Sequence, residues 1–288
     1  WFCDDAWRFD DFSSKYCWYF NCAVTTDDIL DVDKYKKIGY DNAIYATWHA
    51  NADVYSGLSS AKDSDVAFVG NLTGDRKEIF DLLKNRNLDV NHFSKVSFED
   101  MVWNYSKSKI GLNLSKNSND KEGKLILKAR PFEITGVGSM LLTQDAVGLS
   151  ECYKNESEII VFNEIDELVS KCNFLTRNPR IAEKIAINGH KRFLKDHESR
   201  VRLSQLLEKK DLINMKAYIV DYALHAGKWI YKGYQNAFRE LGYDVVPYSN
   251  FGQIDKNDKD FLLLTTDFFF EGDINSRHEV DHAYDIVS

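Results

Sequence analysis

From Asp65 to about residue 175, short apolar runs alternate with amphipathic segments, and this alternation restricts the fold more than any other feature of the chain. The run "DVAFVG" (65–70) closes on a glycine, "DRKEIFDLLKNR" (75–86) carries the 3.6-residue apolar period of a helix, and "DVNHFS" (89–94) reads as a second strand. Ser97 caps a second helix, "SFEDMVWNYSKS", and "KIGLNLS" (109–115) follows as a third strand. After the polar stretch "SNDKEGK" come a helix within "KARPFEITG", the strands "SMLLT" and "EIIVF", and the helix "EIDELVSKCNFLTRN". Strands and helices alternating at this spacing specify a parallel sheet covered on both faces. Residues 62–208 are therefore expected to form one doubly wound α/β domain. Its trailing segment, 179–210, reads as helical throughout, broken near Gly189 and polar enough to lie outside the sheet.

A second pattern of the same kind starts at Met215. "MKAYIVDY" is a strand, "HAGKWIYKGYQNAFRELG" a turn and a helix ending at Gly242, and "YDVVPYS" and "KDFLLLTTDFFF" two further strands. Residues 215–288 thus read as the start of a Rossmann-like domain, whereas 1–61 read as the last units of one. The chain opens on Trp1 within what reads as structure, so it is expected to be a fragment or a trimmed form. Two arrangements follow. Either one unit ends near 208 and a tandem copy begins at 215, or residues 215–288 complete the domain of 1–61. In the second case they do so by folding back, or by segment exchange that makes a homo-oligomer.

Composition excludes several classes. The net charge of −8 comes from 45 acidic and 37 basic residues mixed along the chain, with no basic stripe for a nucleic acid backbone. No apolar run approaches the roughly 18 residues of a membrane span, and no export signal opens the chain. Five cysteines without a CxxC pair indicate neither a disulfide framework nor a zinc ribbon. A soluble, cytoplasmic protein is expected.

The order of the pieces carries a resemblance. "WFCDDAWRF", "ATWHAN", "DSDVAFVGNLTGDR", "KARPFEITGVGSMLLT", "NESEIIVFNEIDELVSK" and "IAEKIAINGHKRFLKDHESRVRL" together resemble the GT-B glycosyltransferases, in particular the spore-maturation-protein-like branch. The resemblance covers residues 1–208, and 215–270 match the first strands of such a fold more loosely. It implies two Rossmann-like domains and transfer of a sugar from a nucleoside-diphosphate donor to a carbohydrate or glycan acceptor, in surface polysaccharide synthesis. No metal and no other cofactor is implied, because helix N-termini and basic side chains carry the leaving diphosphate.

The candidate binding residues follow from local chemistry. Pro131 is read as the first helical position, which puts Glu133 at the third and leaves first-turn amides facing an anion. Arg130 can fork onto a phosphate. Glu133 either favours the helix dipole, as first-turn carboxylates commonly do, or accepts two hydrogen bonds from a ribose diol. The resemblance implies the latter role. A second glutamate common in the family, eight residues upstream, is replaced by Leu125. Gly70, Gly74, Arg76 and Lys77 form a glycine turn where a backbone approaches phosphate, though neither a Walker loop nor GxGxxG. Lys124, Lys128 and His49 complete the donor-side set. For the general base, strand ends offer Asp4, Asp5, His225 and Asp267. His278 and His282 stand four apart with Glu279 beside the first, and the segment is not taken as a zinc site. A binding module without turnover and a nucleotide-sugar epimerase of the same fold are the alternatives.

Overall fold

The computed structural model describes residues 2–3, 9–20, 22–26, 28–55, 61–116, 125–208, 215–221, 227–255, 257–258 and 261–264. They fall into two compact units, Trp48–Glu198 and Trp1–Thr47 with Ser199–Ser288. The divisions lie at 47/48 and 198/199, where the sequence pattern put them near 61 and 208.

The chain begins with the strands β1 (Phe2–Cys3) and β2 (Ala23–Thr25), the short helix α1 (Val32–Lys37) and β3 (Ala43–Tyr45). These strands form a parallel three-stranded sheet in the order β1-β2-β3.

The unit Trp48–Glu198 holds β4 (Ser64–Val69), α2 (Arg76–Asn85), β5 (Val90–Phe93), α3 (Phe98–Lys107), β6 (Ser108–Asn113), α4 (Arg130–Gly136), β7 (Met140–Gln144), α5 (Leu149–Cys152), β8 (Ile160–Phe162), α6 (Ile165–Arg177) and α7 (Pro179–Arg192). Its five strands run parallel in the order β5-β4-β6-β7-β8. Successive strand residues point to opposite faces. Val66, Phe68, Ile110, Leu112 and Leu142 pack with Phe80 and Leu83 of α2, Leu168 and Cys172 of α6 and Ile185 of α7. Ala67, Val69 and Leu141 pack on the other face with Met101 and Tyr105 of α3 and Phe132 and Ile134 of α4. Each fully buried Leu or Phe in these layers stabilises the unit by about 1.5–3 kcal/mol. The strand order reverses between β4 and β6, the place where open α/β sheets bind ligands beyond their carboxyl ends.

The pattern misplaced one feature. Gly189 does not break the helix but lies inside α7, and the chain leaves α-helical geometry only at Phe193–His197. A Cβ on Gly189 would stand 2.4 Å from the Glu158 carbonyl oxygen. The glycine is a close-approach residue, and its helical cost is about 1 kcal/mol against alanine.

The other unit is completed by α8 (Ser199–Glu208), β9 (Lys216–Val220), α9 (Gly227–Glu240), β10 (Asp244–Tyr248) and β11 (Phe261–Leu264). Its second sheet is parallel in the order β10-β9-β11, separate from β1-β2-β3. Although the sheets are separate, Phe9, Phe12, Tyr35 and Tyr40 share one buried cluster with Tyr218, Val220, Tyr248 and Phe251. The helix α8 packs Leu203 and Leu207 onto Ile219, Phe238 and Leu264. Among the described residues no helix is long and apolar enough to cross a membrane.

Candidate functional site

The carboxyl ends of β4 and β6 flank the switch point, and the residues that follow them are unusually cationic. β4 ends at Val69, and Gly70 turns the chain with φ +153°, a backbone conformation open to glycine alone. A Cβ there would also meet the Phe68 ring at 3.2 Å and Arg130 Nη2 at 3.3 Å. The group that closely approaches Gly70 in this structure is Arg130, where the sequence pointed to a phosphate.

Arg130 and Arg76 both stand over the Phe68 ring, their guanidinium carbons 5.2 and 5.8 Å from its centroid. Two like charges on one ring attract the ring and repel each other. Burial and the charge of Arg130 both hold Arg76 below the usual arginine range. Arg76 donates to the carbonyls of Asn71 (3.0 Å) and Lys116 (3.2 Å), and Lys128 Nζ donates to the same Lys116 carbonyl at 2.7 Å. Lys116 Nζ pairs with Asp75 at 2.9 Å, and that contact holds the Asp75 carboxyl low. Arg130 Nε is buried and has no hydrogen-bond partner among the described residues. A buried donor in that state costs about 1–3 kcal/mol unless a ligand or water takes it. Among the described residues, Arg76, Lys116, Lys128 and Arg130 thus lie in one linked set of contacts with the Asp75 carboxylate, a concentration of positive charge that favours an anion.

Glu133 lies one helical turn from Arg130 and is 7% exposed. Its Oε1 accepts a hydrogen bond from the Tyr55 hydroxyl at 3.0 Å. Burial pushes its carboxyl above the ordinary range, against the opposing pull of Arg130 and Tyr55. Tyr105 is fully buried beside both: burial, assisted by the Glu133 charge, pushes its phenol up to about 12. The Tyr105 oxygen accepts from the Val69 amide at 3.2 Å, which ties α3 to the end of β4.

The local helix differs from expectation by one residue. The helix α4 starts at Arg130, so Pro131 is its second residue and Glu133 its fourth. The amides of Phe132 and Glu133 both donate to the Ala129 carbonyl, at 3.0 and 3.1 Å, and Pro131 has none. The positive character of this corner therefore comes from side chains more than from first-turn amides.

Of the other candidates, His49 is buried in the segment that leads to Tyr55, and Lys77 is exposed on α2. Asp4, Asp5, Lys124, His225 and Asp267 lie outside the described residues. So does His278-Glu279-Val280-Asp281-His282, which does carry the His-Glu-x-x-His spacing that the metal-free reading set aside. Sequence reasoning missed Tyr55, Phe68 and Tyr105. Their roles are set by tertiary contacts across 78, 62 and 25–28 positions, respectively, and an aromatic residue in a strand or helix reads as core.

Comparison with known proteins bears on the family and the fold. A family model described as glycosyl transferase-like matches residues 56–208. No curated protein matches the chain. Among solved structures, sucrose-phosphate synthase from Thermosynechococcus elongatus superposes with a TM-score of 0.50 at 12% identity, over 66% of this chain and 58% of that one. Anabaena HepE in complex with UDP-glucose gives 0.50 at 10%, over 66% and 64%. TarM gives 0.50 at 10%, over 68% and 45%. The chain thus spans less than two thirds of the length of each, and the likeness shows a shared GT-B fold. With more than half its length matched by the family model, the chain belongs to the glycosyl transferase-like family.

Proposed function

We propose that the protein transfers a sugar from a nucleoside-diphosphate sugar to an acceptor hydroxyl, without a metal, in surface polysaccharide or glycan synthesis. The observation that carries this reading is the pair of guanidiniums on Phe68, with a buried Nε in need of a partner, one turn from a buried carboxylate. Arg130, Arg76 and Lys128 would bind the diphosphate, and their charge would stabilise it as a leaving group. Gly70 lets that diphosphate come close to the backbone. Glu133 would accept the ribose hydroxyls: a carboxylate has about four lone-pair sites, and Tyr55 occupies one. The complex of HepE with UDP-glucose supports the choice of donor class. The acceptor and its general base are assigned to the unit that contains the two chain ends, where Asp5, His225 and Asp267 are the candidates. A cytoplasmic location belongs to the same reading; the two chain ends already share one unit within the chain, so assembly by segment exchange is not part of it.

The test is incubation of the full chain with labelled UDP-, GDP- and dTDP-sugars, with and without oligosaccharide acceptors. Transfer, or slow hydrolysis of one donor, is the expected result. Tight donor binding with neither would overturn the enzymatic reading in favour of a binding module, and donor interconversion would make it an epimerase.

A further inference from the structure

We propose that Tyr55 is a positioning residue for Glu133: its hydroxyl fixes one carboxylate oxygen and leaves the remaining lone pairs to accept a nucleoside diol. The inference rests on the nucleotide-sugar reading above and assigns a specificity device to that site.

Tyr55 is held from several directions. Asn51 folds the preceding turn, its Oδ1 accepting from the amides of Asp53 (2.9 Å) and Val54 (3.3 Å) and its carbonyl from the Tyr55 amide (3.0 Å). The turn is anchored at the far end of the same unit: Ala50 forms a parallel bridge with Glu198, whose Oε1 accepts from the Ala52 amide at 3.3 Å. The Tyr55 ring meets Phe98 edge-on, with centroids 5.1 Å apart and planes at 83°. Both Tyr55, 4% exposed, and Glu133, 7% exposed, are buried, so their 3.0 Å hydrogen bond is shielded from water. A ring so fixed gives the carboxylate one orientation.

Other titratable groups surround this helix, among them Tyr153, whose hydroxyl bonds the Thr135 hydroxyl at 2.7 Å. Arg130 lies on α4 itself and Tyr105 on α3; His190 of α7 bonds the Thr135 carbonyl, and His197 packs its ring on Phe132. Among these, Tyr55 is the group hydrogen-bonded to the carboxyl, and together with Arg130 it opposes the upward push of burial.

Tyr55→Phe keeps the ring against Phe98 and deletes the hydroxyl alone. The experiment is calorimetric titration of the full chain with UDP, GDP and ADP, followed by the 2′,3′-dideoxy analogue of whichever binds best, from pH 5 to 8. Tyr55→Phe is expected to weaken the ribonucleotide about tenfold. It should move the acid limb of binding to higher pH, leave the dideoxy analogue unaffected, and add nothing in a Glu133→Gln background. Unchanged ribonucleotide binding in Tyr55→Phe, while Glu133→Gln loses it, would overturn the positioning role and spare the site. A Tyr55→Phe effect equal on the dideoxy analogue, or undiminished in the Glu133→Gln background, would also overturn it. If no nucleotide binds the wild type, or Glu133→Gln binds like it, the nucleotide reading itself falls and this inference with it.

Discussion

Two arginine centres in the unit Trp48–Glu198 solve opposite problems. Arg192, in α7, forks onto Glu158 at 3.0–3.1 Å and reaches Asp196 at 2.6 Å. The hydrogen bonds it donates to these carboxylates hold its guanidinium above the usual arginine range. Arg130 has a buried Nε without a partner among the described residues, and a second arginine shares its aromatic platform. One centre is satisfied by the protein and ties the turn before β8 to α7. The other, at the switch point of the same sheet, feels the charge of Glu133 but leaves its Nε without a partner among the described residues.

The contrast can be broken in four ways. Gly189→Ala forces a Cβ toward the Glu158 carbonyl and should cost about 2 kcal/mol in urea unfolding. Arg192→Met removes the cation shared by two partly exposed carboxylates and should cost about 1 kcal/mol, measured the same way, without altering nucleotide affinity. No loss of stability would remove the structural half of the contrast. Glu133→Gln should have the opposite sign and stabilise by about 1 kcal/mol at pH 7. Because burial raises this carboxyl, its ionised form destabilises the fold, so the gain should fade as the pH falls toward about 4.3, the unfolded glutamate value. The smallest effect concerns Glu158 and Asp196. Burial is the largest single influence and would raise both, but the hydrogen bonds and charge of Arg192, joined by Lys154 at Glu158 and Lys195 at Asp196, together outweigh it and leave them low. Their contribution, under about 1 kcal/mol at a partly exposed pair, should be complete above about pH 4.3, be lost as the pH falls through the folded values, and vanish in Arg192→Met.

Much of this unit is legible in the sequence because its strands and helices announce themselves by period. Val66 to Val69, Ile110 to Leu114 and the capped helix from Ser97 all lie where the apolar pattern puts them. Gly189 misled because local propensity marks glycine as a breaker, whereas here the neighbouring Glu158 carbonyl demands it. Arg130, Arg76 and Glu133 were legible from charge near a turn and a helix start. Their partners were not: Tyr55 and Phe68 meet them only after the sheet is assembled. The one-residue shift of α4 is local instead: the Ala129 carbonyl captures the first amides.

On the proposed function, the Arg130 corner binds a nucleoside diphosphate and the Arg192 corner does not. The decisive measurement is titration of UDP, GDP and ADP into Arg130→Met and Arg192→Met, side by side, below their unfolding temperatures. Arg130→Met is expected to weaken the best ligand about a hundredfold while Arg192→Met binds it like the wild type. Wild-type affinity in Arg130→Met, or an equal loss in both variants, would contradict it.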